Sequence, residues 1–140
     1  MTKVFIPSDT TARSLNADAV AVAVGALGED IELVRTGSRG LYWLEPLLEI
    51  ETSDGRIGFP NVSVESVHAL FAEGIPTLEH EKCLGLVEQH QWLGHKRLTC
   101  ARLGIIDPLS LTDYLDHDGF TGLAAALKMT PQEIVGEVTA

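Results

Sequence analysis

Leu47-Leu48-Glu49-Ile50-Glu51-Thr52-Ser53-Asp54-Gly55-Arg56-Ile57-Gly58-Phe59 decides the fold of this chain. Leu48, Ile50 and Thr52 fall on one side of an extended backbone, and Glu49 and Glu51 fall on the other. That is the period-two signature of a strand with its apolar and charged residues on opposite faces. Asp54-Gly55 supplies a turn that accepts positive φ, and residues 56–59 are a second short strand, so the stretch reads as a β-hairpin.

Upstream, strand and helix signals alternate. Lys3-Val4-Phe5-Ile6-Pro7 is a short β-type run, and Ser8-Asp9-Thr10-Thr11 offers helix caps. Residues 12–27 are Ala-rich. The valines at 20, 22 and 24 fit strand alternation, but the length, the caps and the glycines at 25 and 28 favour one helix. Ile31-Glu32-Leu33-Val34-Arg35 is a strand, and Thr36-Gly37-Ser38-Arg39-Gly40 is a glycine-bearing loop. Downstream of the hairpin, Asn61 or Ser63 opens a helix with a Val64, Val67, Leu70, Phe71 stripe, closed by Gly74. Strand–helix–strand, then a hairpin and a last helix, is the layout of a thioredoxin-like α/β sandwich.

The expected organisation is therefore a thioredoxin-like domain over residues 1–74, a linker over 75–97, and a mainly helical segment over 98–140. Within the linker, Leu84, Leu86, Val87, Trp92 and Leu93 call for burial. Residues 98–106 are apolar enough for a strand, with Cys100 in the core. Ser110 can cap a short helix, Phe120, Leu123, Ala124 and Leu127 form a helical stripe, and Thr130-Pro131-Gln132-Glu133 is a capping box with proline at the first helical position.

Composition narrows the function classes. The chain has 140 residues, 45% hydrophobic and 21% charged, normal for a globular protein and unlike a disordered one. Ten basic against twenty acidic side chains leave a net charge of −10, which repels phosphate backbones and argues against nucleic acid as a partner. No apolar run approaches a membrane span, and residues 1–9 lack the layout of a signal peptide. With Cys83 and Cys100 as its two cysteines, the chain has no disulfide framework, and a cytoplasmic location is expected.

Candidate chemistry is sparse. The residue 36–40 loop can form an anion-binding nest, yet it matches neither a dinucleotide fingerprint nor a P-loop and also reads as a plain connection. His80, Cys83, His90, His95 and Cys100 crowd one region. His80 and Cys83 have ligand-like spacing, but no second close pair completes a zinc pattern, so a metal-binding module stays an alternative. A thiol oxidoreductase is disfavoured because no Cys-x-x-Cys follows the first strand. Asp107, Asp113, Asp116 and Asp118 lack the EF-hand pattern. Tyr42 and Trp43, beside Arg39, have the composition of an interface hot spot, although burial in the domain's own core is the competing fate.

Two stretches carry a resemblance. Residues 36–52, TGSRGLYWLEPLLEIET, resemble the first domain of the β (flavoprotein) subunit of NAD-dependent, molybdenum- or tungsten-containing formate dehydrogenases. Residues 96–138 are similar to the opening of that subunit's flavoprotein part: Lys96-Arg97-Leu98-Thr99, Gly104-Ile105-Ile106-Asp107-Pro108, Asp113-Tyr114, Gly119-Phe120, and Met129-Thr130-Pro131-Gln132-Glu133-Ile134-Val135. The same opening occurs in the NADH-oxidising subunit of respiratory complex I and in NAD-reducing hydrogenases, so a diaphorase-subunit fragment of such a hydrogenase is an alternative.

The resemblance implies a domain related to two-iron two-sulfur ferredoxins. The family's second cysteine pair matches Ser38 and Tyr42, and its first matches Pro7 and Ala12. None supplies a thiolate, so no cluster is expected here. The family's FMN and NAD site and its four-iron four-sulfur cluster would lie beyond Ala140. The expectation is a chain without catalytic, cofactor-binding or metal-binding residues, inactive alone. It would serve as the N-terminal docking part of a subunit that passes electrons from formate oxidation to NAD. Its partners would be the iron–sulfur γ-type and the molybdenum or tungsten α-type subunits, met through a loop bearing Ser38, Arg39, Tyr42 and Trp43. Self-association through Leu123, Leu127, Ile134 and Val135 is a further expectation.

Overall fold

The structure, a computed structural model, describes residues 1–140, which form two compact units, Met1–Asp107 and Pro108–Ala140. It is a mixed α/β fold with one four-stranded mixed sheet and six helices. No helix is long and apolar enough to cross a membrane.

In the first unit, β1 (Thr2–Pro7) pairs in parallel with β2 (Ile31–Thr36) and antiparallel with β3 (Leu48–Thr52), which forms the expected hairpin with β4 (Gly55–Phe59). The sheet order is β2-β1-β3-β4. Val4 lies opposite Leu33 on one side and Ile50 on the other, and Ile50 lies opposite Ile57. This row continues the hairpin's apolar face across the whole sheet. Val4, Ile6, Leu48, Ile50, Ile57 and Phe59 are essentially inaccessible, and they pack with Val20, Val24 and Val67 from the helices. Cutting Ile50 back to alanine in such a layer costs about 3 kcal/mol.

The Ala-rich stretch between β1 and β2 is helical, but as two helices rather than the one expected over 12–27. α1 (Thr10–Ser14) is capped by Asp9, whose carboxylate accepts from the Thr11 and Ala12 N–H groups. The chain then breaks at Asn16, which sits in the left-handed region (φ 70°, ψ 23°), a conformation asparagine tolerates better than most residues. The break re-aims the chain, so that α2 (Ala17–Gly25) buries Ala17, Val20, Ala21 and Val24, one face at helical spacing. α3 (Val64–Leu70) starts where expected, with Ser63 and Ser66 exchanging side-chain-to-backbone hydrogen bonds in a capping box.

Residues 84–93 do bury part of their apolar content. Leu84 N–H donates to the Gly58 carbonyl and Val87 N–H to the Arg56 carbonyl, and Leu86 bridges to Ile57. The segment thereby covers the open edge of β4, which would otherwise present unpaired backbone groups. Val87 and Leu93 join Leu47 in a second small apolar cluster, while Trp92 stays half exposed, contrary to expectation.

The strand expected over 98–106 does not form. Leu103 N–H donates to the Cys100 carbonyl and Ile105 N–H to the Arg102 carbonyl, so the stretch is a series of turns with Gly104 at φ +76°. A backbone passing through the left-handed region cannot keep a pleat. Cys100 is accordingly exposed rather than in the core.

The second unit holds α4 (Leu111–Asp116), capped by Ser110, α5 (Thr121–Ala126) and α6 (Pro131–Thr139). Thr130 and Glu133 form the expected capping box, with Pro131 in the first turn. None of the three helices buries a residue, and Leu123, Leu127 and Val135 are exposed.

Candidate functional site

The loop between β2 and β3 is the most elaborately bonded irregular segment of the first unit. Thr36 ends β2 buried, and its carbonyl accepts from Ser8 N–H at 2.9 Å. Two residues on, Ser38 N–H donates to Asp9 Oδ2 at 3.0 Å, so one carboxylate both caps α1 and ties the β2–β3 loop to the β1–α1 loop. Ser38 Oγ donates to Glu45 Oε1 at 2.7 Å and accepts from Gly40 N–H at 3.0 Å. Glu45 Oε2 accepts from Leu47 N–H at 3.0 Å. Burial pushes Glu45 above the ordinary glutamate range, against the lowering pull of the Leu47 N–H and the Ser38 hydroxyl. No buried side-chain oxygen or nitrogen is left without a partner, as a chain of polar groups inside a protein requires.

Between Ser38 and Glu45 the chain makes one 3₁₀ turn, Tyr42–Leu44. A 3₁₀ helix repeats every three residues, so Leu41 and Leu44 share a side. That side packs onto Leu47, Val87 and Leu93. The turn is held further by Leu44 N–H to the Leu41 carbonyl and by Asn61 N–H to the Leu44 carbonyl, each 2.9 Å. With that side anchored, Tyr42 and Trp43 point away from the core and are 56% and 62% exposed. The competing fate, burial in the domain's own core, does not occur.

The four residues expected in a docking loop thus divide. Tyr42 and Trp43 form an outward aromatic pair. Ser38 is buried in the Asp9–Glu45 network, and Arg39 turns inward. Its guanidinium holds the buried Glu49 carboxylate with two nitrogens, and Arg56 reaches the same carboxylate at 3.4 Å. Arg39 is a brace behind the loop rather than part of its surface. The hairpin's Glu49 face is covered here: Arg56 lies 3.5 Å over the Phe5 ring, and the Gly104 carbonyl accepts from Arg56 at 2.7 Å. Burial works to lower Arg39, and the bonded Glu49 more than offsets it, so the net shift is upward; burial of Arg56 wins and lowers it.

The histidines and cysteines of the 80–100 region do not converge. His80 packs edge-on to Phe59 and its Nδ1 accepts from Lys82 N–H, Cys83 Sγ accepts from Gly85 N–H, and His90 Nδ1 accepts from Trp92 and Leu93 N–H. Each is used in its own tight turn. His95 and Cys100 are exposed, and no three His, Cys, Asp or Glu side chains gather as a metal site would need.

Sequence reasoning missed Asp9, Glu45 and the Glu49 pair of arginines as organising residues. Only Asp9 had a local signal, its position before a helix. No family model matches the chain, and no curated protein matches it in sequence.

Proposed function

We propose that this chain is the N-terminal docking part of the flavoprotein subunit of an NAD-linked formate dehydrogenase, a thioredoxin-like domain followed by the opening of a flavoprotein domain. The resemblance of residues 36–52 and 96–138 motivates the family. The sheet order β2-β1-β3-β4, with a parallel β1–β2 pair and an antiparallel β3–β4 hairpin, supports the thioredoxin-like part.

The four positions matching the family's cluster cysteines do not fit a two-iron cluster. Pro7 has no thiol, and its carbonyl accepts from Arg35; Ala12 is buried; the Ser38 hydroxyl is committed to Glu45; Tyr42 faces outward. The loops such a cluster would join are instead joined by the Asp9–Ser38 hydrogen bond. In this reading the chain's own residues carry no hydride and no electron. They hold a surface.

The observation that carries the proposal is the Tyr42–Trp43 pair, two large rings exposed on a turn anchored from behind by Leu41 and Leu44. Rigid aromatic side chains lose little entropy on binding and dominate interface energetics. The partner assigned to them is the iron–sulfur γ-type subunit. Mixing the two chains and following co-elution by size exclusion tests this. The Tyr42→Ala/Trp43→Ala variant should fold, because it alters only exposed rings, and should elute separately. Co-elution of the variant at wild-type level would discard the docking role.

A further inference from the structure

Four of the chain's ten lysines and arginines, Arg39, Arg56, Lys96 and Arg97, line one cavity of about 440 Å³ in the first unit. The volume is that of a small-molecule site. One wall is the covered face of the hairpin, and the other is the turn-rich segment of residues 93–105, whose Leu93, Leu103 and Ile105 supply apolar lining. In a protein with a net charge of −10, this concentration of positive charge is local and built.

The charge there is not balanced from within. Glu49 is a single carboxylate shared by two guanidinium groups, so the buried triad keeps one surplus positive charge. Lys96 and Arg97 make no ion pair. Against the four cations the lining offers one further carboxylate, exposed Glu88, which attracts Arg39; exposed Glu51 attracts Arg56 from the hairpin without lining the cavity. The Gly104 carbonyl accepts from both arginines and fixes them, and Phe5 occupies one face of Arg56. The guanidiniums are thus held in place before anything binds, which lowers the entropic cost of meeting an anion. Desolvation near Arg56 strengthens that attraction.

We propose that this cavity binds a small organic anion, a carboxylate or phosphate on an apolar body, with Lys96 and Arg97 meeting the acidic group beside the fixed Arg39 and Arg56 guanidiniums and Leu93, Leu103 and Ile105 receiving the body. The site is separate from the Tyr42–Trp43 surface and does not depend on the docking role.

The test is titration of the full chain at low salt with 1-naphthyl phosphate, 1-naphthoate, inorganic phosphate and neutral 1-naphthalenemethanol, read by backbone amide resonances. Saturable shifts at Gly94 and Gly104 with naphthyl phosphate or naphthoate are expected, and the tighter of the two identifies the acidic group. Inorganic phosphate and naphthalenemethanol should each bind at least tenfold more weakly. Lys96→Ala/Arg97→Ala should weaken binding by about tenfold or more, the worth of one lost charge-assisted hydrogen bond. Lys96→Arg/Arg97→Lys should retain it. Absence of saturable shifts at the two glycines, equal affinity for the neutral alcohol or for inorganic phosphate, or unchanged affinity in the folded alanine variant would each overturn the proposal.

Discussion

Replacing Glu49 with glutamine keeps the side chain's shape and removes its charge. The carboxylate side chain is 5% exposed and that of Arg39 is 10% exposed, so the ion pair lies largely outside water's reach. After Glu49→Gln, Arg39 and Arg56 face a neutral amide whose NH2 group presents a donor to donors. Removing one partner of a buried pair costs about 3 kcal/mol, mostly the penalty for leaving the other charge uncompensated. In a unit the size of Met1–Asp107 that is a fall in Tm of about 13 °C, from the usual unfolding entropy per residue. Both tryptophans, Trp43 and Trp92, lie in this unit, so tryptophan emission during urea unfolding reports on it alone. Glu51→Gln is the control. Glu51 lies on the same strand but is exposed, and its loss should change stability by no more than about 0.5 kcal/mol. A Glu49→Gln cost below about 1 kcal/mol, or a Glu51→Gln cost equal to it, would refute the buried-triad argument.

Glu45 makes a pH-dependent prediction. Its folded-state pKa is raised by burial, so the folded state binds the extra proton, and the stability this contributes is lost as pH rises from 4.5 through the raised value. Glu45→Gln should remove that decline, and the wild-type-minus-variant difference in urea-derived stability should fall with rising pH; a difference that rises would contradict it. Gly104→Ala places a Cβ at φ +76° against the Arg39 side chain, and should destabilise the first unit by about 1–2 kcal/mol in the same urea assay; an unchanged midpoint would show that the Gly104 turn does not brace Arg39. In the second unit, exposed Leu123, Leu127 and Val135 should drive concentration-dependent self-association in sedimentation velocity, relieved by Leu123→Glu/Leu127→Glu; a monomer at every concentration would count against it.

What was legible in the sequence was what local chemistry decides. The Asp54-Gly55 turn, the Ser63, Ser110 and Thr130 caps and the Leu48–Ile50 alternation act within a few residues, and each appears where the residues place it. The break at Asn16 was hidden because its Ala-rich surroundings carry helix propensity straight through it, and only the packing of α2 on the sheet requires the change of direction. Residues 98–106 have strand composition, but Gly104 and the pull of its carbonyl toward Arg56 leave them as turns. The Tyr42–Trp43 pair could be named but not oriented, since orientation follows from where Leu41 and Leu44 anchor. Glu49 could be assigned to a face but not to a partner. Alternation marks a polar face without saying whether water or an arginine covers it, and here Arg39, ten residues earlier, does.

The proposed docking role rests on the outward aromatic pair, and its most direct test is the dissociation constant between this chain and the proposed partner, an iron–sulfur γ-type subunit, by calorimetry, for wild type and for Tyr42→Ala/Trp43→Ala. Two interface hot spots of about 2 kcal/mol each should weaken binding by about three orders of magnitude, with the unfolding midpoint of the chain unchanged. A dissociation constant within threefold of wild type, on about the precision of such a titration, would contradict the docking role.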